Sequence, residues 1–467
     1  MAVKLALPKG RILRKTAARL QKDGWQLDEY HSKSSFYRPK SGKFPELLIR
    51  VFHEKDIPIQ IAMGNYDLGI CCRDWIEELM VKYPNSELVR VKDLLYGYGA
   101  LYIAAPASGQ ESGKNGSTRI VSEYPNLAEA YALKKRLSRF SIFPVWGAAE
   151  AYPPENADLA LLPLQSISDL NNCGMMPISR ELEFSAFLVA NRGSLENKEI
   201  DNIITSLCDT LAEPDTRPAA MDEMDTAGNF QFYSKKKTDG GPVRLALPDG
   251  HQQQQTVNLL NRAGITVYDY PSETGNRRPA IDVEGVSVKV VRPQDMPMQV
   301  ANGYFDLAVT GRDWVVDHLN QFPSSPVREM LDLQLRRVRL VAVVSRELEV
   351  EDAESLRRYI TGREEPFRVA SEYVNIADKY ARDNHLGHYR IIPTWGATEA
   401  FLPEDADMLI ENTETGRTIA RHNLKIIDTL FESTACLIGN AESVTDPEKK
   451  ERVAGMIEKL EGAVKDD

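Results

Sequence analysis

A chain of 467 residues with 42% hydrophobic residues has room for two to four compact domains with ordinary cores. Its net charge of −11 argues against a phosphate-tracking surface, and no run of about 18 apolar residues offers a bilayer span, so neither nucleic acid nor membrane is expected as a partner. The five cysteines form no CxxC pair and fit reduced thiols better than a disulfide framework; with an N-terminus that reads as a strand rather than a signal peptide, they place the protein in the cytoplasm.

In chain order, residues 3–7 are a short apolar run, followed by a Pro8-Lys9-Gly10 turn and an amphipathic stretch over 12–20, which predicts strand, loop and helix. Residues 47–52 predict a second strand. Asp56-Ile57-Pro58 then opens a helix with Asp at the cap and Pro in the first turn, and Gly64 closes it. A strand over 68–71 follows, Arg73-Asp74 starts the next helix, and Cys71-Cys72 reads as buried packing. A further series of strands and helices begins at 99–105, with short strands at 119–121 and 159–162. Between 213 and 241, Pro214, Pro218 and the run Lys235-Lys236-Lys237 carry breakers and charge in the manner of a linker, on which Phe230, Phe232 and Tyr233 predict some packing.

Past the linker the chain repeats itself. Leu245-Ala246-Leu247-Pro248-Asp249-Gly250-His251 answers Leu5-Ala6-Leu7-Pro8-Lys9-Gly10-Arg11. Arg312-Asp313-Trp314 answers Arg73-Asp74-Trp75 at an offset of 314 − 75 = 239, and Trp395-Gly396-Ala397 answers Trp146-Gly147-Ala148 at 395 − 146 = 249. Such a lag is domain-sized. The predicted organisation is a first copy over 1–212, a linker over 213–241 and a second copy over 242–467. Alternating strands and helices predict an α/β fold, two lobes per copy, with chemistry in the clefts at the carboxyl ends of strands. The seven histidines show no metal-ligand spacing; His385 and His388, around Gly387, come closest and predict an exposed loop.

The strongest local signal runs from Asp407 to Thr418, a strand leading into Glu411-Asn412-Thr413-Glu414-Thr415-Gly416-Arg417-Thr418. Exposed amides, two hydroxyls and a helix start suit a phosphate monoester, and the preceding acids suit ribose hydroxyls, although a plain helix cap accounts for the same turn.

Taken together, Leu-Pro-Lys-Gly-Arg, Asp-Ile-Pro, Asp-Leu-Gly-Ile, Ser-Glu-Tyr-Pro-Asn and Glu-Thr-Gly-Arg-Thr occur in the order found in ATP phosphoribosyltransferase. Each copy resembles the short-form catalytic subunit of that family over nearly its whole length. The resemblance implies lobes like those of bilobal, type II periplasmic binding proteins, enclosing 5-phosphoribosyl diphosphate and ATP with magnesium. It assigns Glu411, Thr413, Glu414, Thr415, Gly416, Arg417 and Thr418 to the ribose 5-phosphate, and Lys9 and Arg11 to the diphosphate or nucleotide. Glu399 matches a family glutamate that faces the cleft, and a solvated helix acid is its alternative. Glu411 stands where the family usually has Asp.

The two copies have lost different parts. The offset of 249 sets Leu162, Leu164, Ser166, Ile167, Ser168 and Asp169 opposite Glu411, Thr413, Thr415, Gly416, Arg417 and Thr418. A β-branched Ile167 in place of Gly416 obstructs close approach to a phosphate. In the second copy Asp249 and His251 replace Lys9 and Arg11, so repulsion replaces attraction for a diphosphate. If the copies pair as a pseudo-dimer, Lys9 and Arg11 reach across to the second copy's phosphate turn and one composite site works. Otherwise both sites are impaired and the chain is a ligand-binding or regulatory relative.

Transfer through an oxocarbenium-like transition state asks for cations and magnesium on the leaving group and an oriented ring nitrogen, with no covalent nucleophile. Arg73 and Arg312 are further candidates for the diphosphate, or else salt-bridge partners. The acceptor is ATP by resemblance, with another purine nucleotide or heterocyclic base left open. Residues 446–465 predict one charged amphipathic helix, so feedback through a C-terminal regulatory domain is not expected. A further homo-oligomer remains open.

Overall fold

The computed structural model describes residues 2–32, 36–107, 117–172, 174–209, 215, 241–273, 275–445 and 447–465. The linker aromatics Phe230, Phe232 and Tyr233 lie outside the described residues. The first repeat is built on two five-stranded sheets. One runs Leu48–His53, Lys4–Lys9, Leu68–Cys72, Ala186–Asn191 and Leu88–Asp93 in spatial order; the other runs Phe140–Pro144, Thr118–Ser122, Leu159–Leu164, Gly99–Pro106 and Met175–Phe184. In each, four strands run the same way and one, Ala186–Asn191 in the first sheet and Gly99–Pro106 in the second, runs antiparallel to its neighbours on both sides. Parallel neighbours joined through helices put the strand ends, and hence Lys9 and Ser122, at the rim between lobes.

The second repeat uses the same order without a break. Its strands Val327–Ser345 and Leu424–Asn440 each run through both lobes, fusing them into one eight-stranded sheet. In the first repeat the corresponding path is interrupted at 94–98 and at Ser185. Gly97, at φ +70°, marks one interruption; a Cβ there would come within 2.9 Å of Ile12.

The lobes of different repeats share cores. Phe52 of the first repeat packs edge-on against Phe401 of the second, with ring centroids 5.1 Å apart, and both are fully buried. Val145, Ala149 and Tyr152 of the first repeat are buried with Val291, Met296 and Phe305 of the second. Ion pairs follow the same correspondence: Arg50 pairs with Glu404, and Lys289 pairs with Glu155 at 2.6 Å.

Asp56 takes the predicted cap position, but this contact changes the role of its side chain. It stands at the start of helix Ile57–Ala62 but makes no capping bond. Its buried carboxylate faces the Trp395 amide of the other repeat, and burial raises its pKa well above the usual range. Its counterpart Asp295 accepts the Trp146 amide at 3.1 Å. Cys71 and Cys72 are fully buried, as packing predicted. The C-terminal helix Pro447–Lys465 buries Val453, Met456 and Leu460 against the second repeat's first sheet. Among the described residues, no helix is long and apolar enough to cross a membrane.

Candidate functional site

Lys9 ends the first strand, where the following turn directs its side chain out of the first repeat. Its ammonium donates to Tyr37 Oη at 2.7 Å and lies 4.6 Å from the centre of that ring. The Tyr37 ring stacks on His422 of the second repeat, centroids 5.3 Å apart and planes within 13°. Arg38 adds a bond to the His422 carbonyl at 3.4 Å. The segment 36–38 is thereby docked just beyond helix Arg417–Arg421, and Lys9 faces the second repeat.

What Lys9 faces is a group of carboxyls. Burial lowers its pKa, opposed by the fields of Glu399, Glu372 and Glu411. Glu399 follows Ala397, held at φ 56° before the turn Thr398–Phe401, a left-handed alanine that points the glutamate inward. Glu411 lies on strand Met408–Thr413, and Glu372 follows strand Phe367–Ser371. Burial pushes Glu372 up to about 7 and Glu411 well above the carboxylate range. Glu399 is raised by the same cause, and its carboxyl adjoins that of Glu411, so burial and mutual repulsion favour protonation of the pair. Glu411 Oε2 is buried without a hydrogen-bond partner.

Beyond Glu411 the chain enters the candidate phosphate turn. Thr413 is buried, and its hydroxyl accepts the Gly416 amide at 2.9 Å. Gly416 adopts φ 73°, which glycine tolerates and a β-branched residue does not. Thr415, Arg417 and Thr418 are exposed, and Glu414 pairs with Arg336 at 3.0 Å. Between the second repeat's own lobes lies a cavity of about 390 Å³, lined by Asp249, His251, Arg292, Arg336, Glu372 and Asn412 among others. Glu372 is common to this cavity and to the Lys9 cluster.

The twin of this cleft joins the first repeat's second lobe to the second repeat's first lobe. Matching bonds from Val51 N to Tyr37 O and from Val290 N to Arg277 O, both 3.0 Å, set Arg277 in the place of Tyr37. Arg277 donates to Asp249 at 2.6 Å and to Glu150, the counterpart of Glu399, at 2.8 Å. Arg292 adds a contact to Asp249 at 3.3 Å. Leu162 stands for Glu411, and Ile167, which lacks a left-handed backbone, packs beside Ala100 and Tyr102.

Comparison with known proteins matches a family model described as ATP phosphoribosyltransferase at residues 53–211 and again at 292–462. The chain belongs to the ATP phosphoribosyltransferase family. Curated family members named for this activity include one from Prosthecochloris aestuarii, 32% identical over 48% of this chain and 71% of its own length, and one from Chlorobium chlorochromatii at 33% over the same shares. Among solved structures, the ATP phosphoribosyl transferase (HisG:HisZ) complex from Thermotoga maritima aligns at 23% identity and TM-score 0.40, over 48% of this chain and 100% of that one. The periplasmic sulphonate-binding protein SsuA from Escherichia coli aligns at 12% identity and TM-score 0.30, over 48% and 72%. As a family of transferases, ATP phosphoribosyltransferases supply the chemical frame for the cleft.

Within that frame, the structure brings Lys9, Glu399 and Glu411 together and leads Glu411 directly into the 413–418 turn. It does not bring Arg11 with them. Arg11 pairs with buried Asp74 at 2.7 Å and Glu54 at 3.2 Å, and covers the Phe184 ring at 4.5 Å. Since Tyr124 also donates to Asp74 at 2.8 Å, Arg11 fastens the first repeat's two lobes to each other. Arg73 bonds Glu77 at 3.2 Å, and Arg312 bonds Glu329 at 2.5 Å and Asp332 at 3.0 Å, which are salt bridges away from the carboxyl cluster.

Tyr37, His422 and Glu372 join this candidate cleft without having been singled out in the sequence. Glu372 carried a signal, standing inside the repeated Ser-Glu-Tyr motif. Tyr37 and His422 carried none, because their contact is across repeats. Half-buried His53 completes the picture. Burial and the nearby Lys55, Lys9, Arg11 and Arg292 press its pKa down to about 3, so it is neutral in a wall of cations drawn from both repeats.

Proposed function

We propose that this chain joins the ribose 5-phosphate of 5-phosphoribosyl diphosphate to N1 of ATP at one composite cleft, within a pseudo-dimer formed by its own two repeats. The supporting observation is the placement of Lys9 of the first repeat against Glu372, Glu399 and Glu411 of the second. The twin cleft has its equivalent positions bound to one another by Arg277.

In the reaction the bond from the anomeric carbon to diphosphate breaks, and a bond from that carbon to the purine nitrogen forms. The 413–418 turn receives the 5-phosphate through its amides and hydroxyls, with Gly416 allowing close approach. Glu411 and Glu399, with protonation of the pair favoured, accept from and donate to the ribose hydroxyls as positive charge develops on the sugar. Lys9, aimed by Tyr37, draws the diphosphate away. Magnesium would be carried mainly by the substrate phosphates, and the unpartnered oxygen of Glu411 would be available to it once that carboxyl gives up its proton. When bound, magnesium would neutralise charge on the diphosphate.

The test is calorimetric titration with 5-phosphoribosyl diphosphate and magnesium, followed by diphosphate release on adding ATP. One equivalent bound with ATP-dependent release is expected. Two equivalents would defeat the single site, release only with another base would change the acceptor, and no binding would make the chain a non-catalytic relative.

A further inference from the structure

A second cavity, of about 680 Å³, lies between the repeats and is lined by residues of both. Four of the chain's five tryptophans reach it: Trp75, Trp146, Trp314 and Trp395. Its volume is that of a small-molecule site, and its aromatic walls are apolar and strongly polarisable.

The first repeat shows what one wall of this cavity holds. Trp75 stacks on Tyr124 with centroids 4.1 Å apart and planes at 28°. The Lys55 ammonium lies 4.9 Å from the centre of the Trp75 ring and pairs with Glu123 at 2.9 Å. An ammonium between an indole face and a carboxylate is a cation–π arrangement with its counter-ion.

The second repeat builds the same wall without the cation. Trp314 packs on Tyr373 in a tilted arrangement, with centroids 4.3 Å apart and planes at 32°, and Glu372 stands where Glu123 does. At the place of Lys55 the sequence has neutral Gln294. Among the described residues no ion pair engages Glu372, and Lys9 is the weakest of the charges that act on it. Gln294 Oε1 is buried without a donor. A carboxylate, an amide oxygen lacking a donor and an indole thus converge where the first repeat seats an ammonium.

We propose that this wall binds a small organic ammonium, whose N–H groups donate to Glu372 and Gln294 Oε1 while its carbon stem lies on Trp314. An indole face favours such a poorly hydrated cation over a hydrated metal ion. Because Glu372 also faces Lys9 in the candidate catalytic cleft, occupancy there and ligand binding in that cleft are coupled, and the coupling is reciprocal.

The probe is n-butylammonium, the side chain of lysine as a free molecule, titrated calorimetrically into the full chain at constant ionic strength. Saturable binding is expected, with n-butanol, its uncharged analogue, binding at least ~10-fold more weakly. Gln294→Lys supplies the cation internally and Trp314→Leu removes the indole; each should weaken n-butylammonium binding at least ~10-fold. Gln294→Lys should also raise the melting temperature, which separates an occupied wall from a misfolded chain. Equal binding of the alcohol, or undiminished binding by a folded Gln294→Lys chain, would overturn the proposal, as would the absence of saturable binding to the parent chain. None of these outcomes depends on phosphoribosyl transfer.

Discussion

The two composite clefts start from one plan and differ chiefly in where their charges find partners. Lys9, Glu372, Glu399 and Glu411 have been drawn together with three acids against one ammonium, so burial leaves a proton on the carboxyls. In the twin, Asp249, Arg277, Glu150 and Arg292 satisfy one another. A set of charges that closes on itself gains stability and loses the capacity to take a charged ligand, whereas an unbalanced buried set is costly until a ligand completes it. Retention of such an imbalance in one cleft supports the proposal that chemistry takes place there.

The largest expected effect comes from the turn that the two repeats no longer share. Gly416→Val forces a β-branched residue to φ 73° and sets its side chain toward the bound phosphate, so 5-phosphoribosyl diphosphate affinity should fall at least ~100-fold with the fold retained. Ile167→Gly, at the matching position of the twin, should leave that affinity unchanged. Calorimetry on both variants decides, and equal binding by parent and Gly416→Val would break the assignment of the turn.

Next are the two cations of the Pro-Lys-Gly-Arg turn, which the structure separates. Lys9→Ala should cut turnover by ~100-fold or more while melting normally, since it removes charge from the leaving group only. Arg11→Ala should act first on stability, by roughly 3–5 kcal/mol in denaturant unfolding, because it strands buried Asp74. The reverse pattern, with Arg11→Ala stable and inactive and Lys9→Ala active, would place the diphosphate in the first repeat's own cleft.

How far the sequence led follows from these residues. Strand and helix order was legible because apolar runs and Pro or Gly boundaries act locally, and the duplication made Glu399 and the 413–418 turn visible by contrast with their decayed twins. Lys9 and Arg11 are two positions apart, and nothing local says that one leaves the repeat while the other bridges its lobes. Asp56 has the ideal identity and spacing for a cap, yet the interface claims it. Tyr37 and His422 meet only because two repeats pack together, information that no window of sequence contains.

Asp295, buried beside the Trp146 amide, sharpens the comparison of the two repeat contacts through pH. Burial, outweighing that hydrogen bond, pushes its pKa from 3.8 to about 8. The folded state therefore holds a proton that the unfolded chain gives up near pH 4. The associated stability is fully present below that pH and lost as pH rises through about 8. Asp295→Asn should flatten the decline of unfolding free energy over that window by up to ~1.4 kcal/mol per pH unit. An unchanged slope would mean that the carboxylate stays ionised against the Trp146 amide, leaving Asp56 as the acid that titrates.

The smallest effect is expected from the twin cleft, and it is the most exacting check of the asymmetry. Arg277 lies in the place of Tyr37 and joins Asp249 to Glu150. Its side chain keeps some contact with solvent, so Arg277→Ala should cost only about 1 kcal/mol in denaturant unfolding, with water and Arg292 relieving the two acids. Turnover and 5-phosphoribosyl diphosphate affinity should stay within twofold of the parent, because this guanidinium is occupied by the protein's own carboxylates. If turnover instead falls by ~100-fold at unchanged stability, Arg277 meets substrate charge in the transition state. The closed ion-pair set would then be a resting arrangement that opens on binding, and the imbalance around Lys9 would no longer suffice to tell the working cleft from its twin.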